Sequence, residues 1–270
     1  MKYLSCAWVG AALLLLAGCQ SVATTAPGAV GVERKQVMWV SEAEVEQSAQ
    51  QAYAAELGKA RDKGKLNADA AQTQRVRTIS QRLIKQTTVF RPDAANWAWD
   101  VNVQSTDELN AYCMPGGKIM VYSGLITKLQ LSDAELATVI GHEMAHALRE
   151  HSREAVSRAY AEQLGLGALG ALAGLSNTSV QLAGMISNVT FSLPRSRVQE
   201  SEADKVGLEL MARAGYDPHA ALTLWQKMGS ANQNAPPAFL STHPASATRQ
   251  ADLQALLPRV LPLYSAATKH

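Results

Sequence analysis

Apolar and polar residues alternate along this chain with two different periods, and the changes of period mark its elements. Residues 41–60, SEAEVEQSAQQAYAAELGKA, are rich in Ala, Glu and Gln and open with Ser41 and Glu44 at capping-box spacing, which predicts a helix. A second helix is predicted from Asp69 to Thr87. The period then falls to two. Trp97, Trp99, Val101 and Val103 alternate with smaller or polar neighbours over residues 97–105, as in a half-buried strand. KIMVYS, residues 118–123, is another strand, entered through Pro115-Gly116-Gly117. Ser132 and Glu135 form a further capping box, and the helix they start is predicted to run to about His151 with Ile140, Met144, Ala147 and Leu148 as its apolar stripe. Helices are also predicted from Ser196 to Ala214 with a stop at Gly215, after Asp217-Pro218, and within the final STHPASATRQADLQALL. Residues 231–237 read as a loop. Long helices around a few short strands make the fold class α+β, mostly helical with a small β-sheet.

The ends of the chain read differently. Met1-Lys2 is a minimal positive start, Ala7 to Ala17 is an apolar run too short to span a bilayer, and Leu16-Ala17-Gly18-Cys19 closes it with small residues before a cysteine. LAGC resembles the lipobox of bacterial lipoproteins. The resemblance implies a signal peptide over residues 1–18, acylation of Cys19, and, with Gln20 rather than Asp next, a lipid anchor in the outer membrane with the body on the periplasmic side. Residues 19–37, mostly Ser, Thr, Ala, Gly and Val, suit a flexible tether; residues 38–264 form the body and 265–270 a tail. Residues 164–186 are rich in Ala, Gly and Leu. Their GLGALG matches GxGxxG only formally, since no βαβ unit surrounds it, and polar residues at 176–179 and Gln181 weaken a transmembrane reading, leaving packing or a mobile segment over a cleft.

Composition narrows the function classes. With 47% hydrophobic and 18% charged residues the chain has the makings of a folded core. Its 25 Lys+Arg against 23 Asp+Glu leave +2, interspersed rather than massed in a stripe, which argues against a nucleic-acid partner. Of three cysteines, one lies in the signal and one carries the lipid, so Cys113 has no intrachain partner and reads as a small buried apolar residue.

The chemistry centres on IGHEMAHALREH, residues 140–151. Residues four apart on a helix lie on one face, roughly 6 Å apart at the usual rise, so His142 and His146 can both aim a ring nitrogen at one metal ion. Glu143 then stands beside the ion's open position, where a carboxylate can act as general base. A chance His-Glu-x-x-His occurs in on the order of one chain of this length in a hundred, so the motif needs context. A hydrolytic metal site wants a third protein ligand and one vacancy. In SRVQESEAD, residues 196–204, a helix places Glu200, Ala203, Asp204, Gly207 and Met211 on one face, and Glu202 with Gln199, Lys205 and Glu209 on the wet side. Glu200 is therefore the expected third ligand and Asp204, one turn on, the carboxylate that orients a ligand histidine. Glu150 and His151 read as solvated helix residues, and Arg197 and Arg249 as members of structural ion pairs.

Taken together, HEMAH, SRVQESEAD, the upstream NAYCMPGGKIMVYSGLI and the downstream HPASATR resemble the zinc metallopeptidase family of HtpX, the CAAX prenyl endopeptidases and the OMA-type proteases, over roughly residues 37–257. The absence of membrane helices is similar to the lipoprotein branch and disfavours a prenyl-protein endopeptidase. The resemblance implies a zincin-like domain with one zinc ion per subunit on His142, His146 and Glu200, and Glu143 as general base. It also implies an edge strand over Gly117, Lys118, Ile119, Met120 and Val121 that binds unfolded or flexible polypeptide by backbone pairing. His243 is implied near the zinc, either as oxyanion donor or as fourth ligand holding the enzyme latent. The expected function is zinc-dependent degradation of misfolded or unassembled envelope proteins. The alternative is a lipid-anchored, chaperone-like module serving the envelope assembly machinery through a structural or latent zinc site.

Overall fold

The computed structural model describes residues 20–166, 179–231, 237–244 and 247–269. The expected signal peptide, the expected lipidation site at Cys19 and most of the glycine-rich stretch lie outside the described residues. Among those described, no helix is long and apolar enough to cross a membrane.

The capping boxes start the helices where the sequence places them. Ser41 caps α1 (Glu42–Asp62), Asp69 caps α2 (Ala70–Ile84), and Ser132 and Glu135 close reciprocally at the start of α4 (Asp133–Leu148), which follows the short α3 (Ser123–Lys128). Ser196 and Gln199 do the same for α7 (Arg197–Arg213), which stops before Gly215 at φ 75°. Between α4 and α7 lie α5 (His151–Leu166) and α6 (Ser179–Phe191); α8 (Ala220–Ser230), α9 (Ala238–Thr242) and α10 (Ala247–Ala267) complete the chain.

Two small sheets accompany them. β1 (Gln20–Val22) and β2 (Gln36–Met38) form an antiparallel pair. β3 (Asp100–Gln104), β4 (Ala111–Met114) and β5 (Lys118–Tyr122) form the second sheet in the order β3-β5-β4, with β3 parallel and β4 antiparallel to β5. The pleat of β5 feeds two cores. Ile119 and Val121 join the larger core with α2, α4, α7 and α8, while Met120 and Tyr122 join a smaller one with α1 and α6. Trp97 and Trp99 precede β3 rather than belonging to it; the Trp99 ring covers Gly117, where a Cβ would come within 2.6 Å of the indole.

This order corrects the expected substrate strand. Residues 118–121 lie in the middle strand and are hydrogen-bonded to a neighbour on each side, so they have no free edge to offer an incoming chain. The outer strand packed against α4 is β4, half of the NAYCMPGG run.

A second correction concerns the tether. Over its described part it packs onto the body, with Val30, Val32, Thr25 and Gln36 buried. Its small polar residues, which suggest flexibility when read alone, serve as hydrogen-bond partners for buried charges. Thr24 and Thr25 both accept from the Arg149 guanidinium at 3.1 Å, the Gln36 amide donates to the Arg149 carbonyl at 2.7 Å, and the Glu209 carboxylate accepts from the Val30 N–H at 3.0 Å.

The approach of α4 to α7 positions everything that follows. At their crossing Gly207 faces Gly141, and a Cβ on Gly207 would stand 2.8 Å from the His142 backbone nitrogen. Two glycines let the helices touch backbone to backbone, which brings the second half of one motif within side-chain reach of the other.

Candidate metal centre

Helix α4 is buried on every side from Glu135 to Leu148, which is why its three polar motif residues need partners from elsewhere in the chain. His142 and His146 point the same way, their Nε2 atoms 3.1 Å apart. Across the glycine crossing α7 supplies Glu200, whose oxygens lie 3.5 Å from His142 Nε2 and 3.3 Å from His146 Nε2. His243, at the end of α9, brings Nδ1 to 3.0 Å from Glu200 Oε1 and 3.3 Å from His142 Nε2. One donor atom from each of these four buried residues lies within 4.8 Å of all the others. Three imidazoles and one carboxylate converging on one point are a donor set that fits zinc. Glu143 stays outside this group. Its Oε1 is buried, accepts no hydrogen bond among the described residues and lies 3.4 Å from His243 Nε2.

The nitrogens turned away from the cluster are held by two separate chains of contacts. His142 Nδ1 meets Asp204 Oδ1 at 3.1 Å, as the sequence suggests, and Asp204 is gripped by Arg249 through Nε at 2.6 Å and Nη2 at 2.7 Å. Arg249 also reaches Glu200 Oε2 at 2.7 Å and lies over the Trp225 ring. Of the two arginines expected in ion pairs, Arg249 is therefore in one, whereas Arg197 is exposed and forms none among the described residues.

The second chain of contacts is a correction. The helix does not run on to His151. Glu150 takes φ 51°, a left-handed backbone that costs about 1–2 kcal/mol for a residue with a Cβ, and a new helix begins at His151. The break turns the His151 ring back so that its Nδ1 lies 2.8 Å from His146 Nδ1, while its Nε2 meets Glu202 Oε2 at 3.0 Å. His146 must keep its proton on Nδ1 to present Nε2 to an ion. His151 Nδ1 then accepts that proton's hydrogen bond and its own Nε2–H donates to Glu202. Far from being solvated, His151 is wholly buried, and Glu150 is buried on Arg91 and Arg153.

Glu202, Gln199 and Glu209 likewise leave the expected wet face. Glu202 is buried against Arg34, Arg149 and His151, Gln199 donates to Glu154, and Glu209 pairs with Arg213. The segment that covers them, residues 24–36, closes what would otherwise be the solvent side of α7. Charge pairing across such distances in the chain leaves no periodic trace. A histidine five residues beyond the second ligand, on the wrong face of a continuous helix, is the one signal that something bends there.

Electrostatics follow the packing. Burial alone would depress His142, but the Asp204 and Glu200 carboxylates outweigh it and push the imidazole up to about 9. Burial, reinforced by neighbouring imidazoles, drives His146 well below the ordinary range, and burial takes His151 down to about 4. Glu200 resists its own burial, held far below the usual carboxylate range by His243, His142 and His146. Cys113 is buried and free, its thiol pushed well up by burial and by the Glu143 charge.

Comparison with known proteins agrees with this geometry. The model of peptidase family M48 matches residues 70–257. The chain is 40% identical to the mitochondrial metalloendopeptidase OMA1 of Arabidopsis thaliana over 152 residues, 56% of this chain and 30% of that protein. It is 36% identical to the protein of the same name in Schizosaccharomyces pombe over 166 residues, 59% of this chain and 47% of that one. With the beta-barrel assembly-enhancing protease of Yersinia pestis it shares 28% identity over 200 residues, 68% of this chain and 38% of that protein. The chain thus spans less than half the length of each of these three relatives.

Proposed function

The chain belongs to peptidase family M48, and from that premise we propose that it is a zinc-dependent endopeptidase acting on misfolded or unassembled proteins of the cell envelope. The observation that supports it most is the convergence of His142, His146 and Glu200 beside an unengaged Glu143. The first three residues would hold the ion, which when bound polarises the scissile carbonyl and acidifies the attacking water. Glu143 takes the proton of that water and delivers it to the leaving amine. Asp204 and His151 fix the rings of His142 and His146, so neither side chain has to reorient during turnover.

Extended substrate would pair along β4 rather than β5, since β4 is the outer strand beside α4. Backbone pairing selects weakly by side chain and requires an extended segment, which suits unfolded clients. The LAGC lipobox and the likeness to a beta-barrel assembly-enhancing protease support the envelope as the place of action, with a lipid on Cys19 as the membrane attachment. The test is digestion of casein by the purified protein. Cleavage should stop with a strong chelator and return with added zinc; cleavage indifferent to the chelator would overturn the reading.

His243 reaches the cluster with Nδ1 and faces Glu143 with Nε2, stacked on Phe239 at 4.5 Å. The Nδ1 contacts favour the fourth-ligand role, in which His243 keeps the resting site closed. In His243→Ala we expect faster loss of metal to a chelator and a several-fold gain in casein cleavage. A fall of about 10²-fold in kcat would instead mark the side chain as an oxyanion donor.

A further inference from the structure

Among the described residues, Arg195 is the one charged side chain next to the metal centre that the mechanism leaves without a task. It lies in the loop between α6 and α7, directly before the Ser196 cap, and its backbone N–H donates to the Thr242 carbonyl at 2.9 Å, tying the loop to the turn that carries His243. Only 9% of the residue is exposed. Its Nε and Nη1 are buried and meet no acceptor among the described residues. Burial pulls the guanidinium below its usual range, the charges of Glu143 and Glu200 oppose this only in part, and neither carboxylate hydrogen-bonds to it. A guanidinium offers five N–H donors and does not give up its charge, so leaving it buried and unmatched is costly.

The same side chain lines a cavity of about 570 Å³ whose wall also includes Glu200, one of the four converging residues of the metal centre, and Arg249, which holds Asp204. The two other arginines drawn furthest into the fold there are already matched: Arg34 by Glu154 and Glu202, and Arg249 by Asp204 and Glu200. The exposed acids of the wall, Glu33 and Asp252, form no ion pair with Arg195. What remains is a largely buried cation at the edge of a space large enough for side chains of a bound peptide. The group that best answers it is a carboxylate, whose planar pair of oxygens meets a guanidinium through two charge-assisted hydrogen bonds.

We infer that Arg195 anchors a subsite for a carboxylate of the bound polypeptide, supplied by an acidic side chain flanking the scissile bond or by a nearby C-terminus. The inference deepens the endopeptidase reading and rests on it. Arg195 would select and position substrate without touching the reacting atoms, and this chain would be more selective than backbone pairing along β4 alone allows.

The test uses short peptides that differ only in Glu against Gln at one flanking position, each made with a free and with an amidated C-terminus. Wild type should favour one carboxylate-bearing form through KM by about tenfold or more, the size expected of one charge-assisted pair. Comparing the Glu and Gln forms with the acid and amide forms identifies which source supplies the carboxylate. Arg195→Gln should erase the preference while cleaving the neutral peptide at the wild-type rate, and Arg195→Lys should restore part of it. Because the replaced charge is unmatched, thermal stability of Arg195→Gln should be equal or higher. Binding of the same labelled peptides to Glu143→Gln, followed by fluorescence anisotropy, separates this inference from the protease reading. A carboxylate preference in binding without cleavage by wild type sinks only the protease reading. Equal binding of all the peptides sinks the subsite, as does an equal loss of kcat on acidic and neutral peptides in Arg195→Gln.

Discussion

Glu143→Gln is expected to lower kcat on unfolded protein by about 10²–10⁴-fold while leaving metal content and thermal stability at wild-type values. The amide keeps the volume of the carboxylate but cannot take a proton from water at neutral pH. The selectivity of the loss follows from where Glu143 stands. It is outside the group of four converging donors, its Oε1 accepts no hydrogen bond among the described residues, and it lies 3.4 Å from His243 Nε2. Removing its charge therefore breaks no structural ion pair. Metal analysis, a melting curve and a casein assay on the same preparation check the three parts together. Undiminished cleavage would refute Glu143 as the base, and lost metal would show that it is a ligand.

Arg149→Met should destabilise the protein by about 3–5 kcal/mol, the cost typical of breaking a buried charge network from one side. Arg149 is fully buried. It donates to Glu202 at 3.2 Å, to Thr24 and Thr25 at 3.1 Å and to the Arg34 carbonyl at 2.9 Å, so it joins the covering segment to α7. Methionine fills much of the space but leaves those acceptors unmatched. Because Glu202 also holds His151 on His146, metal affinity should fall too, by roughly 10–100-fold, as is usual when the partner of a ligand histidine is disturbed. Urea denaturation measures the first effect and competition with a chelator the second. Wild-type values for both would mean that residues 24–36 cover the site without supporting it.

These two expectations draw on information of different kinds. The position of Glu143 relative to His142 and His146 is local: it follows from the pitch of one helix, and the Ser132 and Glu135 capping box says where that helix begins. Glu200 and Asp204 were legible for a similar reason, since their four-residue spacing puts both on the less polar face of α7. The helix starts at Ser41, Asp69 and Ser196 are local in the same sense, because a cap satisfies backbone donors within its own first turn.

Arg149 and its partners belong to the other kind. Nothing in TTAPGAVGVERKQ announces that its threonines and glutamine are buried, because apolar periodicity reports burial of hydrocarbon and is silent about charge matched by charge. The left-handed turn at Glu150, which sends His151 back onto His146, interrupts the helical period on which the sequence argument relied. Strand order is equally hidden. KIMVY has the same composition at the middle of a sheet as at its edge, and only the pairing of β5 with both β3 and β4 shows that its backbone is already in use. Along the chain, spacing determines which side chains share a face of one element. Which faces meet is decided where α4 and α7 cross at two glycines and the N-terminal segment folds over them, because burying polar groups is tolerable only when distant parts of the chain supply their partners.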